Sequence, residues 1–285
     1  MAATAPTGAI QIEYEGRLAI ITINNEKKLN ALNMVQYMEL ASAMNEVAKR
    51  DDVYITLLIG KGRYFSAGAD VTLSRPSPTD TTNNTADSSP SATYEYWLRS
   101  FVANNLNITR AFYTHPKILI CALNGPVIGL SAALVAFADF IYATPHTFLL
   151  TPFSSLGLVA EGGASTAFVQ RLGIAKANEA LIMSKRITAP ELVSAGFVNK
   201  LFEVGKDGNS EGFKELVLRE IEERLGEHLV GDSLLGIKKL IRRPEREVLD
   251  QQNVAEVFAG LERFISGVPQ GEFLKIATGQ KRHKL

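Results

Sequence analysis

Residues 53–70 read VYITLLIGKGRYFSAGAD, an apolar run of strand length followed by a turn rich in glycine and alanine. Upstream of this stretch, residues 34–50 place apolar side chains at a helical period, and residues 18–23 form an earlier β-branched run. Strand, helix and strand in this order predict a right-handed crossover unit. The stretch therefore predicts an α/β fold.

The alternation of strands and helices continues to about residue 205. Residues 117–123 form a further apolar run, whereas the chain after residue 214 has helical periodicity. We therefore expect an α/β core over residues 1–205 and a helical C-terminal region over residues 206–285. Residues 72–92 are rich in Ser, Thr, Pro, Asn and Asp and lack the apolar side chains that packing requires. They form either a surface insertion or a loop beside a functional site.

The composition argues against several classes of protein. The 285 residues include 30 basic and 30 acidic ones, so the formal net charge of zero gives no sign of a nucleic-acid partner. No apolar stretch is long enough to span a bilayer. The single cysteine, Cys121, lies in an apolar run that predicts a buried strand. The four histidines lack metal-ligand spacing, so no metal site is expected, and we expect His115 and His146 in solvated turns.

The two ends of the chain carry the localisation signals that the sequence offers. The first sixteen residues contain no Lys or Arg, which argues against a secretory signal. The last three, His283-Lys284-Leu285, resemble the Ser-Lys-Leu peroxisomal address, with His in the place of Ser. The alternative is a frayed basic tail. A functional tripeptide predicts the peroxisomal matrix as location and an import receptor as partner.

One acidic residue lies within the apolar and glycine-rich segment 154–163, which reads SSLGLVAEGG. No basic side chain lies within eight residues before Glu161 or nine after it. A carboxylate in such surroundings tends to be desolvated, which raises its pKa and makes it a better base near neutral pH. The simpler interpretation is an acidic residue at the start of a helix, with Gly162 and Gly163 forming the turn before it.

Two loops that follow apolar strands have small side chains, at residues 67–69 and at Gly129 and Ser131. Small residues let main-chain N–H groups approach a ligand, and two converging N–H groups form an oxyanion hole. The alternative is that these turns only reverse the chain. Asp70 and Asp139 are candidates for proton transfer, although carboxylates that border apolar segments more often cap a backbone or form an ion pair.

Together these segments resemble the crotonase superfamily, also called the enoyl-CoA hydratase/isomerase superfamily, over residues 12–202. The motifs that carry the resemblance are Asn30-Ala31-Leu32, Phe65-Ser66-Ala67-Gly68-Ala69-Asp70, Asn124-Gly125-Pro126 with Gly129, and Gly157-Leu158 with Gly162-Gly163. The resemblance implies a crotonase-like spiral of repeated ββα units with a helical C-terminal region, assembled as a homo-trimer or homo-hexamer. Within the superfamily the sequence is most similar to the fungal peroxisomal 3,2-trans-enoyl-CoA isomerases.

Hydratases of this superfamily use two glutamates, and the corresponding places here hold Ala133 and Phe153. Hydration requires an acid and a base, whereas an isomerase needs one base that reaches two carbons. The resemblance therefore implies that Glu161 alone moves a proton of a 3-enoyl-CoA to give the trans-2 isomer, in β-oxidation of unsaturated fatty acids. The alternatives are another acyl-CoA reaction, such as hydrolysis or decarboxylation, and a catalytically silent acyl-CoA-binding subunit.

The resemblance also assigns the remaining site residues. The backbone N–H groups of Ala69 and Leu130 would form the oxyanion hole. The acyl-CoA would be bound by Ala67, Gly68, Ala69, Asp70, Val71, Leu130 and Phe153. No cofactor is expected, because coenzyme A is part of the substrate. Lys27, Lys28 and Arg63 are candidate partners for its phosphates, with a solvated surface role as the alternative.

Overall fold

The structure, a computed structural model, describes residues 8–70, 90–205 and 209–282. Its strands form a six-stranded sheet of order β1-β2-β3-β4-β6-β9 and a three-stranded sheet of order β5-β7-β8. β1 and β2 pair antiparallel, and the later pairs of the larger sheet are parallel. The strands are β1 (Ile10–Glu15), β2 (Leu18–Ile23), β3 (Ile55–Gly60), β4 (Ile118–Leu123), β5 (Val127–Ile128), β6 (Phe140–Ala143), β7 (Phe148–Leu150), β8 (Ile187–Thr188) and β9 (Lys200–Leu201).

Helices follow most of the strands, and the C-terminal part of the described chain is helical. A π-helical turn, Leu98–Val102, joins α2 to α3, and α5 is broken at Gly173, which has a φ of 73°. The helices are α1 (Met34–Ala48), α2 (Pro90–Trp97), α3 (Ala103–Tyr113), α4 (Gly129–Val135), α5 (Ala164–Leu181), α6 (Ala189–Ser194), α7 (Ser210–Leu225), α8 (Gly231–Arg242), α9 (Arg246–Ile265) and α10 (Val268–Ala277).

The core lies on both faces of the larger sheet, because apolar side chains cover both sides of its central parallel strands. Every residue of β3 and β4 is buried, including Cys121. One face packs against α1, α3, α4 and α5, and the other packs against α7. The predicted α/β class with a helical C-terminal region is confirmed. Within the described ranges, no helix is long and apolar enough to cross a membrane.

The structure differs from the sequence-based prediction at several places. β5, β8 and β9 have two residues each, which is too short for a periodic signal. The expectation of a solvated His115 was wrong. Its ring is buried, its Nε2 lies 2.7 Å from Thr56 Oγ1, and burial, reinforced by nearby lysines, lowers its pKa to about 3.

The low-complexity segment and the helical C-terminal region can be followed in part. The expected loop over 72–92 ends earlier, since α2 begins at Pro90, and its other residues lie outside the described ranges. The boundary between residues 205 and 206 stays a prediction. The C-terminal helices nevertheless contact the core, because α9 packs against α3 and α10 packs against the turn at Ser154–Leu156.

Candidate active site

Two buried asparagines hold the glycine-rich loop that follows β3. The Asn30 side-chain amide donates to the carbonyls of Lys61 (2.9 Å) and Tyr64 (2.7 Å). The Asn124 amide donates to the Gly62 carbonyl (2.7 Å), and its oxygen accepts from the Gly60 N–H. Buried backbone groups of a loop need such partners. These contacts give the Asn30 and Asn124 motifs a physical reason.

This loop contacts the start of α4 at two glycines, Gly68 and Gly129. Gly68 has a φ of 85°, and a Cβ there would lie 2.8 Å from the Ile128 carbonyl oxygen. A Cβ on Gly129, whose φ is 61°, would lie 3.8 Å from Gly68 Cα. The Ile128 N–H also donates to the Ser66 carbonyl (2.9 Å). The two backbones can approach this closely because neither glycine carries a side chain.

The two N–H groups predicted as an oxyanion hole lie on these neighbouring segments. Within the part of the chain that the structure describes, neither the Ala69 N–H nor the Leu130 N–H donates to a protein acceptor. The adjacent N–H groups of Gly68 and Asp70 are both occupied, by Ser66 Oγ and the Leu32 carbonyl. The two donors that remain are therefore the ones available to a ligand oxygen.

Glu161 lies in the turn before α5 and, among the described residues, has one hydrogen-bond donor. The Asn105 side-chain amide, on α3, donates to Glu161 Oε2 over 2.8 Å. Desolvation raises the pKa of Glu161 to about 7, the Asn105 hydrogen bond opposes this shift, and the negative charge of Glu256 adds to it. A carboxylate with this pKa exchanges a proton readily near neutral pH. The simpler interpretation, an acidic residue at the start of a helix, does not account for the desolvation of Glu161 and its raised pKa.

Glu161 also separates two cavities. The larger cavity, about 270 Å³, is mainly apolar and extends between α1, α2, α3 and α9. The smaller cavity, about 170 Å³, is bordered by the glycine loop and by the turn after β7. Glu161 keeps partial exposure because it lines both. The residues common to the two linings are Ala69, Leu130, Leu158, Glu161 and Phe273. The carboxylate and the two free N–H groups thus meet where the cavities adjoin.

The polar groups around this junction are already paired. Lys28 Nζ lies 2.6 Å from Asp70 Oδ2, so one candidate phosphate partner forms an ion pair. The Tyr37 hydroxyl lies 2.9 Å from Ser131 Oγ, and Ser131 Oγ lies 2.9 Å from Ser66 Oγ. Burial strongly raises the pKa of Tyr37. Among the described residues, Glu161 is therefore the group at the junction whose pKa suits proton transfer near neutral pH.

Apolar side chains occupy the places of the two hydratase glutamates. Ala133 is fully buried, and Phe153 is 2% exposed and lines the smaller cavity. A Cβ on Gly162 would lie 2.8 Å from the Ala133 Cβ, so the turn beside Glu161 packs directly on residue 133. A longer side chain at 133 would displace that turn. Neither place provides a second proton-transfer group.

The remaining predicted residues are distributed as follows. Ala67 and Gly68 line the smaller cavity and Asp70 the larger one, while Lys27 and Arg63 are exposed. Val71 and the tripeptide His283-Lys284-Leu285 lie outside the described residues. Among the residues described, no group of His, Cys, Asp or Glu could hold a metal ion. These site assignments stay predictions.

Sequence reasoning missed residues that reach the site from distant parts of the chain. Asn105 is 56 positions from Glu161, and Phe264 and Phe273 line the larger cavity from α9 and α10. Arg263 also donates from α9 to the Gly157 carbonyl (2.8 Å), next to the Glu161 turn. A helical period places Phe264 and Phe273 on apolar faces but does not show what they face.

The fold and the junction define an α/β protein in which a carboxylate of raised pKa and two free N–H donors border the same two cavities. The model of the family described as enoyl-CoA hydratase/isomerase matches residues 13–207. The chain therefore belongs to the enoyl-CoA hydratase/isomerase family, and the predicted membership of the crotonase superfamily is confirmed.

Relatives and a solved structure agree with this membership. The chain is 64% identical over 281 residues to a protein of Pyricularia oryzae named Delta(3,5)-Delta(2,4)-dienoyl-CoA isomerase, covering 98% of this chain and 100% of the relative. It is 36% identical over 277 residues to a protein of Saccharomyces cerevisiae named 3,2-trans-enoyl-CoA isomerase, covering 97% and 96%. An enoyl-CoA hydratase/isomerase structure from Pseudoalteromonas atlantica superimposes with a TM-score of 0.79 at 23% identity, covering 98% and 100%, which confirms the predicted crotonase-like fold.

Proposed function

We propose that this protein is an enoyl-CoA isomerase that converts a 3-enoyl-CoA to the trans-2-enoyl-CoA, with Glu161 as its single base. The observation that carries the proposal is the junction itself, where one carboxylate of raised pKa lies with two unoccupied N–H donors between two cavities. The smaller cavity accommodates the thioester end of the substrate. The larger, apolar cavity accommodates the acyl tail.

The reaction proceeds through a dienolate. Glu161 removes a proton from C2, and the electron pair of that C–H bond moves toward the thioester carbonyl, whose oxygen becomes negatively charged. The N–H groups of Ala69 and Leu130 donate to this oxygen, and one such donor is worth about 3 kcal/mol of barrier. The protonated Glu161 then returns the proton to C4 and the double bond shifts to C2–C3. The apolar walls formed by Phe153, Leu156 and Leu158 exclude water from the carbanion.

A second candidate is isomerisation of a 3,5-dienoyl-CoA to the 2,4-dienoyl-CoA, and the name of the Pyricularia oryzae relative favours it. That reaction returns the proton to C6, which is farther from C2 than C4 is. Besides Glu161, the acidic residue in the described lining of the cavities is Asp70, which is paired with Lys28. A single carboxylate reaches C4 with a smaller displacement than C6, and for this reason we place the 3-enoyl substrate first.

The test compares three thioesters with wild type and Glu161→Gln: a 3-enoyl-CoA, a 3,5-dienoyl-CoA and a trans-2-enoyl-CoA. We expect a conjugated product of unchanged mass from the 3-enoyl-CoA, formed by wild type and lost in the variant. Faster turnover of the 3,5-dienoyl-CoA would support the second candidate. Addition of water to the 2-enoyl-CoA, release of free coenzyme A or full activity of Glu161→Gln would contradict the proposal.

We also propose a homo-oligomer, supported by apolar side chains on α8 that are exposed in the single chain, namely Ile237, Leu240 and Ile241. Light scattering of the purified protein tests it, and a monomer at micromolar concentration would contradict it.

The peroxisomal matrix is the proposed location, supported by His283-Lys284-Leu285. A fluorescent fusion that reaches peroxisomes only when these residues are present would support import. We propose no cofactor, because coenzyme A is part of the substrate.

A further inference from the structure

Glu256, on α9, is a buried carboxylate that the proposed reaction does not use. It is 5% exposed and contacts the first turn of α5. Its Oε2 accepts from the Gly163 N–H (2.6 Å), and its Oε1 accepts from the Ser165 N–H (2.9 Å) and from the Ser165 hydroxyl. Gln252, one turn earlier on α9, donates to Ser165 Oγ (2.8 Å). The glutamate thus caps a helix that is ninety residues away in the chain.

The start of α5 cannot supply its own cap. The N-cap position is Gly163, at a φ of 72°, and a Cβ there would lie 2.6 Å from Phe137 Cζ. Gly162, at 69°, is similarly crowded by Leu130 and Ala133. A Ser, Asp or Asn, which normally caps a helix, would clash at either position. Two of the N–H groups at this end, those of Gly163 and Ser165, are therefore satisfied from another helix, while those of Ala164 and Thr166 donate to the carbonyls of Glu161 and Gly163.

The partners of Glu256 favour its ionised form. Backbone N–H groups can only donate, and the Ser165 hydroxyl, which accepts from the Gln252 amide, directs its own proton toward Glu256. All three contacts are made to acceptor oxygens, as expected for an ionised carboxylate. Burial raises the pKa of Glu256, and the three hydrogen bonds oppose that shift.

This arrangement affects Glu161, which lies two residues before Gly163. If the N–H groups of the α5 first turn were free, they would offer hydrogen bonds and a positive dipole to the nearest carboxylate and so favour its ionised form. Glu256 occupies those of Gly163 and Ser165 instead. The described groups that interact with Glu161 are then the Asn105 amide, the Tyr37 hydroxyl and the Glu256 carboxylate. Asp70, which is paired with Lys28, lines the larger cavity together with Glu161.

We propose that Glu256 is a positioning residue for the proton shuttle: it occupies the α5 N-terminus, fixes the turn that carries Glu161, and leaves Glu161 to serve as a base rather than as a helix cap. This inference rests on the proposed function. Glu256 touches neither cavity in the described chain. It acts through Glu161 and not on the substrate.

The test is the pH dependence of kcat/KM in wild type, Glu256→Gln and Glu256→Asp, with Glu262→Gln as control. Glu262 lies on the same helix but is exposed. Glu256→Gln keeps the size of the side chain and removes its charge, so the acidic limb, which reports ionisation of Glu161, should move down by about half a pH unit or more, with kcat reduced and KM little changed. Glu256→Asp keeps the charge and should leave the midpoint near that of wild type, although it lowers Tm. Glu262→Gln should change neither.

Two results would overturn the proposal. A lower Tm of Glu256→Gln with an unchanged midpoint would show a cap without influence on Glu161, and equal shifts in Glu256→Gln and Glu256→Asp would show lost packing. Carboxyl ¹³C spectra of glutamate-labelled protein provide a readout that needs no turnover, with the Glu161 signal identified by its absence in Glu161→Gln. They test Glu256 even if the proposed function fails. If Glu256→Gln does not fold, the ¹³C spectra of wild type provide the test. A second glutamate signal, in addition to that of Glu161, that remains protonated up to pH 7 would indicate a neutral Glu256 and would refute the proposal.

Discussion

Glu161 and Glu256 are two glutamates beside the same helix N-terminus, and they differ in their partners. From the residues that the structure describes, Glu161 accepts one hydrogen bond, from Asn105, and it lines both cavities. Glu256 accepts three hydrogen bonds and lines neither. A carboxylate that is well supplied with donors is held in place, whereas one with a single donor and access to a cavity can exchange its proton. The difference between a structural and a reactive glutamate here is the number of donors and the access to ligand.

The largest effect should follow from removing the reactive member of the pair. Glu161→Gln keeps the Asn105 contact, because the Gln oxygen can accept from the same amide, but it cannot take a proton. We expect kcat for the 3-enoyl-CoA to fall by about 10³-fold or more with acyl-CoA binding retained. Stopped-flow absorbance and calorimetric titration measure the two quantities. Loss of binding together with kcat would instead indicate a misfolded site.

The next effect concerns the N–H donors opposite Glu161. Gly68→Ala places a Cβ 2.8 Å from the Ile128 carbonyl oxygen at a φ of 85°, so the loop that carries the Ala69 N–H must move away from Leu130. We expect kcat to fall by about 10²-fold. Gly16→Ala is the matched control, because Gly16 also has a positive φ, 56°, but nothing lies within 4 Å of its Cβ position. Equal losses of activity in both variants would point to general strain.

The pH dependence of the free energy of unfolding should show how much burial of the ionised Glu161 destabilises the fold. The folded-state pKa of Glu161 is raised from 4.5 to about 7, so its contribution to stability is fully present below about pH 4.5 and is lost as the pH rises through 7. Glu161→Gln avoids that loss. Its free energy of unfolding relative to wild type should rise by roughly 3 kcal/mol between about pH 4.5 and about pH 8.5 in urea denaturation. The control Glu262→Gln should show no such change with pH. The absence of a change in Glu161→Gln would contradict the desolvation of Glu161.

The smallest effect tests the single donor to Glu161. Asn105→Ala removes the hydrogen bond that favours the ionised carboxylate, so the pKa of Glu161 should rise and the acidic limb of kcat/KM should move up by roughly half a pH unit. This shift is opposite in sign to the one expected for Glu256→Gln. Asn107→Ala, an exposed change on the same helix, serves as control. A downward shift in Asn105→Ala would contradict the assignment of donor and acceptor.

The sequence predicts the part of this site that short segments encode. The lack of basic residues near Glu161 is visible in the adjoining sequence, and the small side chains around Gly68 and Gly129 indicate exposed N–H groups. The Asn30 and Asn124 motifs were recognised by resemblance, and the structure supplies their reason in the hydrogen bonds that hold the loop at residues 60–64. In each case the informative residues are neighbours in the chain.

The rest depends on contacts between distant segments. Asn105 and Glu256 lie on helices that carry many other polar residues. Helical periodicity does not distinguish these two from the polar residues around them. Their partners are Glu161 and the α5 first turn, tens of residues away. The burial of His115 was missed for the same reason, because Thr56 and Lys238 reach it from other elements.

The most direct test of the central claim follows a label through the reaction. A 3-enoyl-CoA carrying deuterium at C2 is converted by excess enzyme in ordinary water, and the product is examined by mass spectrometry and NMR. If Glu161 alone takes the proton from C2 and returns it to C4, as proposed, a measurable share of the deuterium should appear at C4 of the trans-2-enoyl-CoA. Product whose new hydrogen at C4 comes entirely from solvent, even in a single turnover, would contradict a one-glutamate shuttle.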